Sequence, residues 1–248
     1  MDQKDLELIY GRHPVLEAIR AGQSIEKLML QQGTRGDFEK ELRQLSRAHR
    51  IPVQVVPRER LNKLVRGNHQ GIVGLLAPIR YYRLEDLLPI IYERSQTPLL
   101  VLLDGITDVR NLGAIARSAE LCGAQALVVP RKNSAQVNAE AIKTSAGALT
   151  KLPVCRESSL LAAAETLRLS GIRLLVSDLQ ATQPLYDLDL TEPLALVVGA
   201  EGRGVSSALR RVADATFRIP QWGTTDSFNV SVATGIMLYE VLRQREEK

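Results

Sequence analysis

The sequence predicts an α/β fold in which a small α/β domain precedes a larger domain built on a mostly parallel β-sheet. Two observations support this prediction. Short apolar runs alternate with segments of helical periodicity along nearly the whole chain, which is typical of strands connected by helices. In the second part, polar loops follow the apolar runs, as expected where parallel strands end. A chain of 248 residues is long enough for two such domains.

The first domain, residues 1–77, is predicted from alternating strand and helix patterns. A helix follows the GRHP turn, and later apolar positions switch between helical spacing and strand alternation. The predicted helices are 14–21, 38–49 and 58–64, and the predicted strands are 25–30, 53–56 and 72–77. Residues 78–97 contain Pro78, Pro89 and a tyrosine pair, and we predict that they form a linker with one helix at 84–94.

The second domain, residues 98–248, is predicted to contain strands buried on both faces of the sheet. Its strands are uninterrupted apolar runs such as LLVLL, which is the pattern of parallel strands covered by helices. The predicted strands are 99–103, 126–129, 152–154, 172–177 and 194–198, with a last strand that ends at Pro220. The predicted helices are 112–122, 138–145 and 160–169, with a last helix that begins near Val230.

Three polar loops of the second domain are predicted to meet at one edge of the sheet. Residues 104–111, 199–204 and 221–229 each follow an apolar strand, and ligands of parallel sheets bind outside the carboxyl ends of the strands. In the last loop, Ser227 and Asn229 can cap the following helix or donate to a ligand. The GAEGRG loop lacks the Lys-Ser/Thr ending of a phosphate-binding loop, so a nucleoside triphosphate site is not indicated.

Positive charge is concentrated near the start of the chain. Residues 1–83 contain 15 Lys and Arg against nine Asp and Glu, whereas the remainder contains 17 against 19. The basic positions include Arg43, Arg47 and Arg50, which form either a solvated face or a surface for a polyanion such as RNA. Few aromatic residues are interleaved, so stacking on single-stranded bases is not strongly indicated.

Several other classes of protein are disfavoured by the sequence. The first residues show no signal-peptide pattern, and no apolar run approaches membrane-spanning length, which predicts a cytoplasmic protein without a membrane partner. Cys122 and Cys155 lack metal-ligand spacing, and the three histidines are scattered. We therefore expect no metal site and no disulfide framework, with both cysteines acting as small buried hydrophobes.

Three motifs resemble those of the SpoU/TrmH-type RNA ribose 2′-O-methyltransferases of the SPOUT class. They are DVRNLGAIARSAELCG at 108–123, VVGAEGRGVS at 197–206 and IPQWGTTDSFNVSVATGIMLYE at 219–240. GRHPV at 11–15 and HQGIV at 69–73 resemble the L30e-like substrate-binding domain of the branch that methylates a guanosine in large-subunit rRNA. The resemblance implies a catalytic domain with a deep trefoil knot, an RNA-binding first domain and a homodimer. For the dimer, Val230, Met237 and Val241 form the expected apolar stripe.

The resemblance also implies roles for individual residues. S-adenosylmethionine is expected to bind the main chain at Gly199, Ile219 and Phe228, where Phe228 replaces the usual leucine of the family. The residues expected in the active site are Asn111, Arg117, Glu201, Ser227 and Asn229. On the last helix, Arg243 and Arg245 correspond to basic residues that place the RNA.

The implied reaction is methylation of the 2′-hydroxyl of a guanosine in 23S rRNA without a metal ion. Two alternatives stay open, namely methylation of tRNA and a non-catalytic role in RNA binding or ribosome assembly. In the family, the residue that corresponds to Arg117 is proposed to act as the base that takes the proton from the ribose hydroxyl. Because a guanidinium is effectively always protonated, we expect Arg117 to stabilise the developing alkoxide electrostatically, and its action as the base stays open as an alternative.

Overall fold

The structure, a computed structural model, describes residues 7–94 and 96–247. The chain divides between Arg80 and Tyr81 into two compact units. The division lies close to the predicted end of the first domain. No helix in these two described ranges is long and apolar enough to cross a membrane.

The first unit contains a four-stranded sheet with the order β1, β4, β2, β3. Its strands are β1 (Leu8–Tyr10), β2 (Ile25–Gln31), β3 (Val53–Val56) and β4 (Ile72–Leu76), and its helices are α1 (Arg12–Arg20), α2 (Asp37–Ala48) and α3 (Arg58–Leu64). β4 is antiparallel to β1 and β2, whereas β2 and β3 are parallel. One core cluster includes Ile19 and Leu42 of α1 and α2, and another includes Leu61 of α3. The predicted elements are present, and β1 is an additional strand that sequence patterns missed.

The second unit contains a seven-stranded sheet in which every observed pairing is parallel. The strand order is β11, β9, β10, β6, β7, β8, β5. The strands are β5 (Tyr81–Tyr82), β6 (Leu99–Asp104), β7 (Ala126–Pro130), β8 (Val154–Glu157), β9 (Arg173–Ser177), β10 (Leu194–Gly199) and β11 (Ala215–Phe217). The helices are α4 (Leu84–Glu93), α5 (Val109–Leu121), α6 (Ala139–Thr144), α7 (Leu160–Leu169), α8 (Ser207–Val212) and α9 (Val230–Glu246). The predicted parallel sheet is therefore confirmed.

The predicted linker at 78–97 is wrong for most of its length. β5 pairs with β8 as the edge strand of the large sheet. Leu84, Leu87, Leu88 and Ile91 of α4 are buried in the core of the second unit. The prolines suggested a connector, but burial of this apolar face stabilises the helix around Pro89.

Helices cover both faces of the large sheet. α4, α7 and α8 pack with alternate strand residues such as Leu100 and Leu102 on one face. The intervening residues, such as Val101 and Leu103, are fully buried as well, which requires a layer on the opposite face. α5 packs against both α6 and α9, and α9 contacts β10, so these helices supply that layer.

The last helix returns from the edge of the sheet to its centre. β11 is an edge strand, yet α9 packs against α5, which directly follows the central strand β6. Residues 218–229 connect β11 to α9 and end at the carboxyl edge of the sheet. The knot implied by the family resemblance stays a prediction.

The apolar residues of α9 are distributed differently from the expected dimer stripe. Met237 and Val241 are fully buried in the second unit, and Val230 is 7% exposed. These three residues belong to the core, so the prediction that they form a free stripe is wrong. The exposed apolar residues of α9 are Val232, Ile236 and Tyr239, which follow the i, i+4, i+7 spacing of one helix face.

Candidate active site

Three side chains from three different loops meet at the carboxyl edge of the large sheet. The amide nitrogen Nδ2 of Asn229 lies 3.1 Å from Oδ1 of Asn111 and 2.7 Å from Oε1 of Glu201. Asn111 is in the first turn of α5 after β6, Glu201 is in the turn after β10, and Asn229 precedes α9. We call these residues the Asn–Glu–Asn cluster. The predicted convergence of the three loops is thus observed for these residues.

The helix ends explain why the cluster forms. Asp108 caps α5, because its Oδ1 accepts hydrogen bonds from the backbone N–H groups of Arg110 and Asn111. Asn229 caps α9 with its Oδ1, which accepts from the Ser231 N–H at 2.9 Å. Its Nδ2 stays available to the cluster. Glu201 also lies 3.4 Å from the Val230 N–H, so its carboxylate is at the positive end of α9.

Gly199 is required by the turn that carries Glu201. A Cβ atom at this position would lie 2.0 Å from the carbonyl carbon of Gly204, because the chain folds back on itself. The turn is fastened to β6 by Asp104, whose backbone oxygen accepts from Ala200 N–H and whose Oδ2 accepts from Ser206 N–H at 2.8 Å. Sequence patterns missed Asp104. The signal that could have identified it is a carboxylate at the end of a buried strand.

The segment from Ile219 to Phe228 presents unpaired backbone donors. Among the described residues, none of its N–H groups donates a hydrogen bond within the protein, and its one internal contact is from Gln221 Nε2 to the Asp226 oxygen. Ile219 is half-buried and Phe228 is 40% exposed. Exposed backbone amides beside apolar side chains suit a ligand with an aromatic ring and polar edges. The segment therefore fits a nucleoside-containing cofactor.

Arg117 and Ser227 do not contact the cluster. Arg117 is exposed and lies six residues beyond Asn111 on α5, which is about 9 Å along the helix axis. Within the described ranges, neither side chain forms a hydrogen bond or an ion pair. The structure thus brings together three of the five expected active-site residues and leaves these two facing solvent.

The side chain of Arg245 is bonded within the protein and is not free to bind RNA. Its guanidinium donates to the backbone oxygens of Leu190, Thr97, Pro98 and Glu192 at 2.9–3.2 Å. Burial lowers its pKa, and the side chain ties the end of α9 to the start of β6 and to the loop before β10. The prediction that it contacts RNA conflicts with these bonds.

Arg243 is exposed but already neutralised by acids. It donates two hydrogen bonds to Glu240 and two to Glu247 at 2.7–2.9 Å. Bonding to Glu240, and then to Glu247, raises its pKa. A phosphate would have to displace both carboxylates, so this arrangement does not favour the predicted RNA contact.

Replacing Arg245 with Ala should lower the free energy of unfolding by about 2 to 4 kcal/mol, because four backbone acceptors lose a charged donor. Urea denaturation followed by circular dichroism measures this change. Arg243→Ala is the matched control on the same helix, and we expect little change because Arg243 and its partner Glu247 are exposed. Equal stability of the two variants would contradict a structural role for Arg245.

The basic positions predicted at Arg43, Arg47 and Arg50 lie on α2 or just after its end, where acids largely offset their charge. Arg43 pairs with Glu39 at 2.8 Å, and Arg50 adopts a left-handed conformation after the end of the helix. Arg47 is exposed. The helix also carries Asp37 and Glu41. The positive excess of the first unit is therefore not concentrated on this helix.

Comparison with known proteins identifies the class of this protein. Residues 98–239 match the SpoU rRNA Methylase family, and residues 8–82 match the RNA 2′-O ribose methyltransferase substrate binding family. The chain belongs to the SpoU family, which confirms the family predicted from the three motifs. It is an RNA methyltransferase of that family, with a substrate-binding region in front of its methylase domain.

Individual relatives extend over nearly the whole chain. The 23S rRNA (guanosine-2′-O-)-methyltransferase RlmB of Pseudomonas aeruginosa is 38% identical over 96% of this chain and 97% of its own length. An uncharacterized tRNA/rRNA methyltransferase of Synechocystis is also 38% identical, and the chain spans 64% of that longer protein. The structure of the SpoU methyltransferase AviRb from Streptomyces viridochromogenes with AdoMet is similar, with a TM-score of 0.61, 28% identity, and coverage of 98% of this chain and 92% of that chain.

Proposed function

We propose that this protein transfers a methyl group from S-adenosylmethionine to the ribose 2′-hydroxyl of a guanosine in 23S rRNA. The observation that carries the proposal is the Asn–Glu–Asn cluster, which joins the loops after β6, β10 and β11 at the edge where parallel sheets bind ligands. The end-to-end similarity to a 23S rRNA guanosine methyltransferase supports the choice of substrate.

The residues of the chain act by binding and positioning. S-adenosylmethionine supplies an electrophilic methyl group on a sulfonium centre. The free backbone donors between Ile219 and Phe228, together with the main chain at Gly199, would hold the cofactor, and the cluster would fix the loops that carry them. Arg117 faces solvent, where its positive charge would stabilise the ribose oxygen as the hydroxyl proton passes to solvent water. Most of the acceleration then comes from orientation and electrostatics.

Two other functions make different predictions. A tRNA methyltransferase would modify tRNA and leave 23S rRNA unchanged, and the Synechocystis relative is named as a tRNA/rRNA methyltransferase. A non-catalytic RNA-binding factor would have no need for the free donors or for the cluster. Titration of the chain with S-adenosylmethionine separates this last function from the two enzymes, because a factor that has lost catalysis is expected not to bind the cofactor.

The proposal is tested by mapping ribose methylation in a strain from which the gene has been deleted. We expect one guanosine of 23S rRNA to lose its 2′-O-methyl group and to regain it when the wild-type gene is supplied. Complementation with the Asn229→Asp variant should leave that guanosine unmethylated. Unchanged 23S rRNA together with a missing ribose methyl group in tRNA would overturn the choice of substrate.

We also propose that two copies of the chain associate through the exposed face of α9. Val232, Ile236 and Tyr239 form one wall of an apolar groove of about 500 Å³, and Tyr186 and Ile219 lie on the other side. These side chains are large and apolar, and a helix face with this spacing suits packing against a copy of itself around a twofold axis.

The variant Ile236→Glu should raise the dissociation constant of the dimer about thirtyfold or more, since loss of a central apolar contact commonly costs about 2 kcal/mol. Analytical ultracentrifugation over a range of concentrations measures it. Leu169→Glu is the matched control, because Leu169 is an apolar residue on α7 that is 91% exposed and outside the groove. A monomeric wild type, or equal dissociation constants for both variants, would contradict the proposed interface.

A further inference from the structure

A polar groove of about 730 Å³ lies within the first unit, at the carboxyl end of β2. It is formed by the start of α1, the loop after β2, the start of α3 and the loop before β4. The match to the substrate-binding family spans residues 8–82, which include all the lining residues of this groove. Sequence patterns did not predict the groove, because its residues come from four separate segments.

Uncompensated positive charge distinguishes this groove from α2. Arg12, Arg35 and Arg58 line it, and no Asp or Glu of the described ranges is among its lining residues. All three arginines are exposed, and none forms an ion pair with another residue in the described ranges. On α2, by contrast, three acids accompany the basic residues. The groove thus brings together three positive charges that are available to an anion.

Arg12 is held in place before any ligand arrives. Its Nε donates to the backbone oxygen of Gln70 at 3.3 Å, and its backbone N–H donates to Oε1 of the same residue at 3.0 Å. The guanidinium also lies over the ring of Phe38, 4.9 Å from the centroid. These contacts fix the plane of the guanidinium and leave its two terminal nitrogens without protein partners in the described structure. A fixed planar fork of this kind suits the oxygens of a phosphate.

The loop before β4 is rigid because His69 is buried beneath it. The side chain of His69 is 6% exposed. Its Nδ1 accepts from the Gly71 N–H at 3.0 Å, which places the ring proton on Nε2, and Nε2 then donates to Oδ1 of Asn62 at 2.8 Å. Gln70 and Gly71 both adopt positive φ angles, of 50° and 84°. His69 is therefore a positioning residue that fixes Gln70, and through it Arg12.

We propose that this groove binds the ribose–phosphate backbone of the RNA substrate, a proposal that rests on the function proposed above. Three arginines supply phosphate contacts, and the amides of Asn62 and Asn68 can bond to 2′-hydroxyl groups or base edges. No aromatic residue in the described part of the chain lines the groove, so base stacking contributes little. Binding there should depend strongly on salt and weakly on sequence.

The test compares two triple variants of the full-length chain for binding to a 23S rRNA transcript at several salt concentrations. Arg12→Ala/Arg35→Ala/Arg58→Ala removes the arginines of the groove. Lys40→Ala/Arg60→Ala/Lys63→Ala removes the same charge from exposed positions of the same unit that do not line it. Calorimetric titration with S-adenosylmethionine should give the same affinity for both variants and the wild type, because the cofactor loops belong to the other unit.

For the groove variant we expect the dissociation constant for RNA to rise about tenfold or more. The slope of log affinity against log salt should fall by about 2, because each lost contact to single-stranded phosphate contributes about 0.7. The control variant should change the slope much less. Arg35→Glu reverses a single exposed charge and should also weaken RNA binding. This variant provides the test if the triple variant does not fold.

The outcomes separate the groove from the proposed function. Suppose that the wild type binds and methylates the transcript while the groove variant binds it as tightly as the control variant. The proposal that the groove binds RNA is then overturned, and the proposed function stands. If the wild type binds no RNA transcript, both the function and the groove are overturned.

Discussion

Replacing Asn229 with Asp should slow methyl transfer about a hundred- to a thousandfold under single-turnover conditions. Aspartate keeps an oxygen for the Ser231 N–H, so the cap of α9 is retained. However, the amide donor to Asn111 and Glu201 is lost, and a second carboxylate is placed where the donor was 2.7 Å from Glu201. Repulsion between the two carboxylates should separate the loops that form the site.

Ser231→Ala is the control for this variant. The Ser231 hydroxyl donates to Oδ1 of Asn229 at 2.6 Å, on the side of the amide that caps α9, and forms no hydrogen bond with Asn111 or Glu201 in the described structure. We expect nearly wild-type rates from Ser231→Ala, and a similar melting temperature for both variants would show that the difference is not caused by unfolding. A wild-type rate for Asn229→Asp would contradict a role of the cluster in the reaction.

Replacing Arg117 with Ala should reduce the rate of methyl transfer about a hundred- to a thousandfold, because loss of one preorganised charge typically costs about 3 to 4 kcal/mol of transition-state stabilisation. Binding of S-adenosylmethionine, measured by calorimetry, should be nearly unchanged, because Arg117 lies away from the loops that present free backbone donors. Arg110→Ala is the matched control. Arg110 is exposed on the same helix and pairs with Glu140 at 3.2 Å.

The variant Arg117→Lys distinguishes electrostatic stabilisation from proton abstraction. Lysine keeps the positive charge but loses the planar fork. If Arg117 stabilises the alkoxide, partial activity should survive with little change in the dependence of rate on pH. An Arg117→Ala rate equal to those of the wild type and Arg110→Ala would instead make Arg117 an ordinary exposed residue of the helix.

Much of the fold was predictable, because local patterns agree with tertiary packing. The bounds of α3 and α7 match the predicted helices residue for residue. In α7, Ser159 caps the helix, and its apolar residues face the core with helical spacing. Parallel strands were recognisable as continuous apolar runs for the same reason. Where the pattern of apolar residues is compatible with only one element, the sequence is sufficient to predict that element.

The errors arise where a pattern has more than one interpretation. Apolar residues surround α9 on several sides, so sequence could not show that Met237 is in the core while Ile236 faces solvent. Pro89 suggested a connector, although burial of α4 determines the structure there. Likewise, a terminal arginine such as Arg245 resembles a nucleic-acid contact until its four backbone partners are known.

The candidate site was predictable in part. Its loops could be placed because the carboxyl ends of parallel strands share one edge, and Asn111, Glu201 and Asn229 meet there as expected. The position of Arg117 relative to them could not be derived, because it depends on the rotation of α5. The groove around Arg12 could not be predicted from the sequence either, because segments that are distant in sequence create its excess of positive charge.

The most direct test of the proposed reaction is to incubate the protein with a 23S rRNA transcript and S-adenosylmethionine labelled in its methyl group. The RNA is then digested to nucleosides, and the labelled product is identified by chromatography. We predict that the label appears in 2′-O-methylguanosine from a single position, and that Arg117→Ala almost abolishes it. Label on a base, or no label in RNA although the protein binds both the cofactor and the transcript, would contradict the proposed ribose methylation.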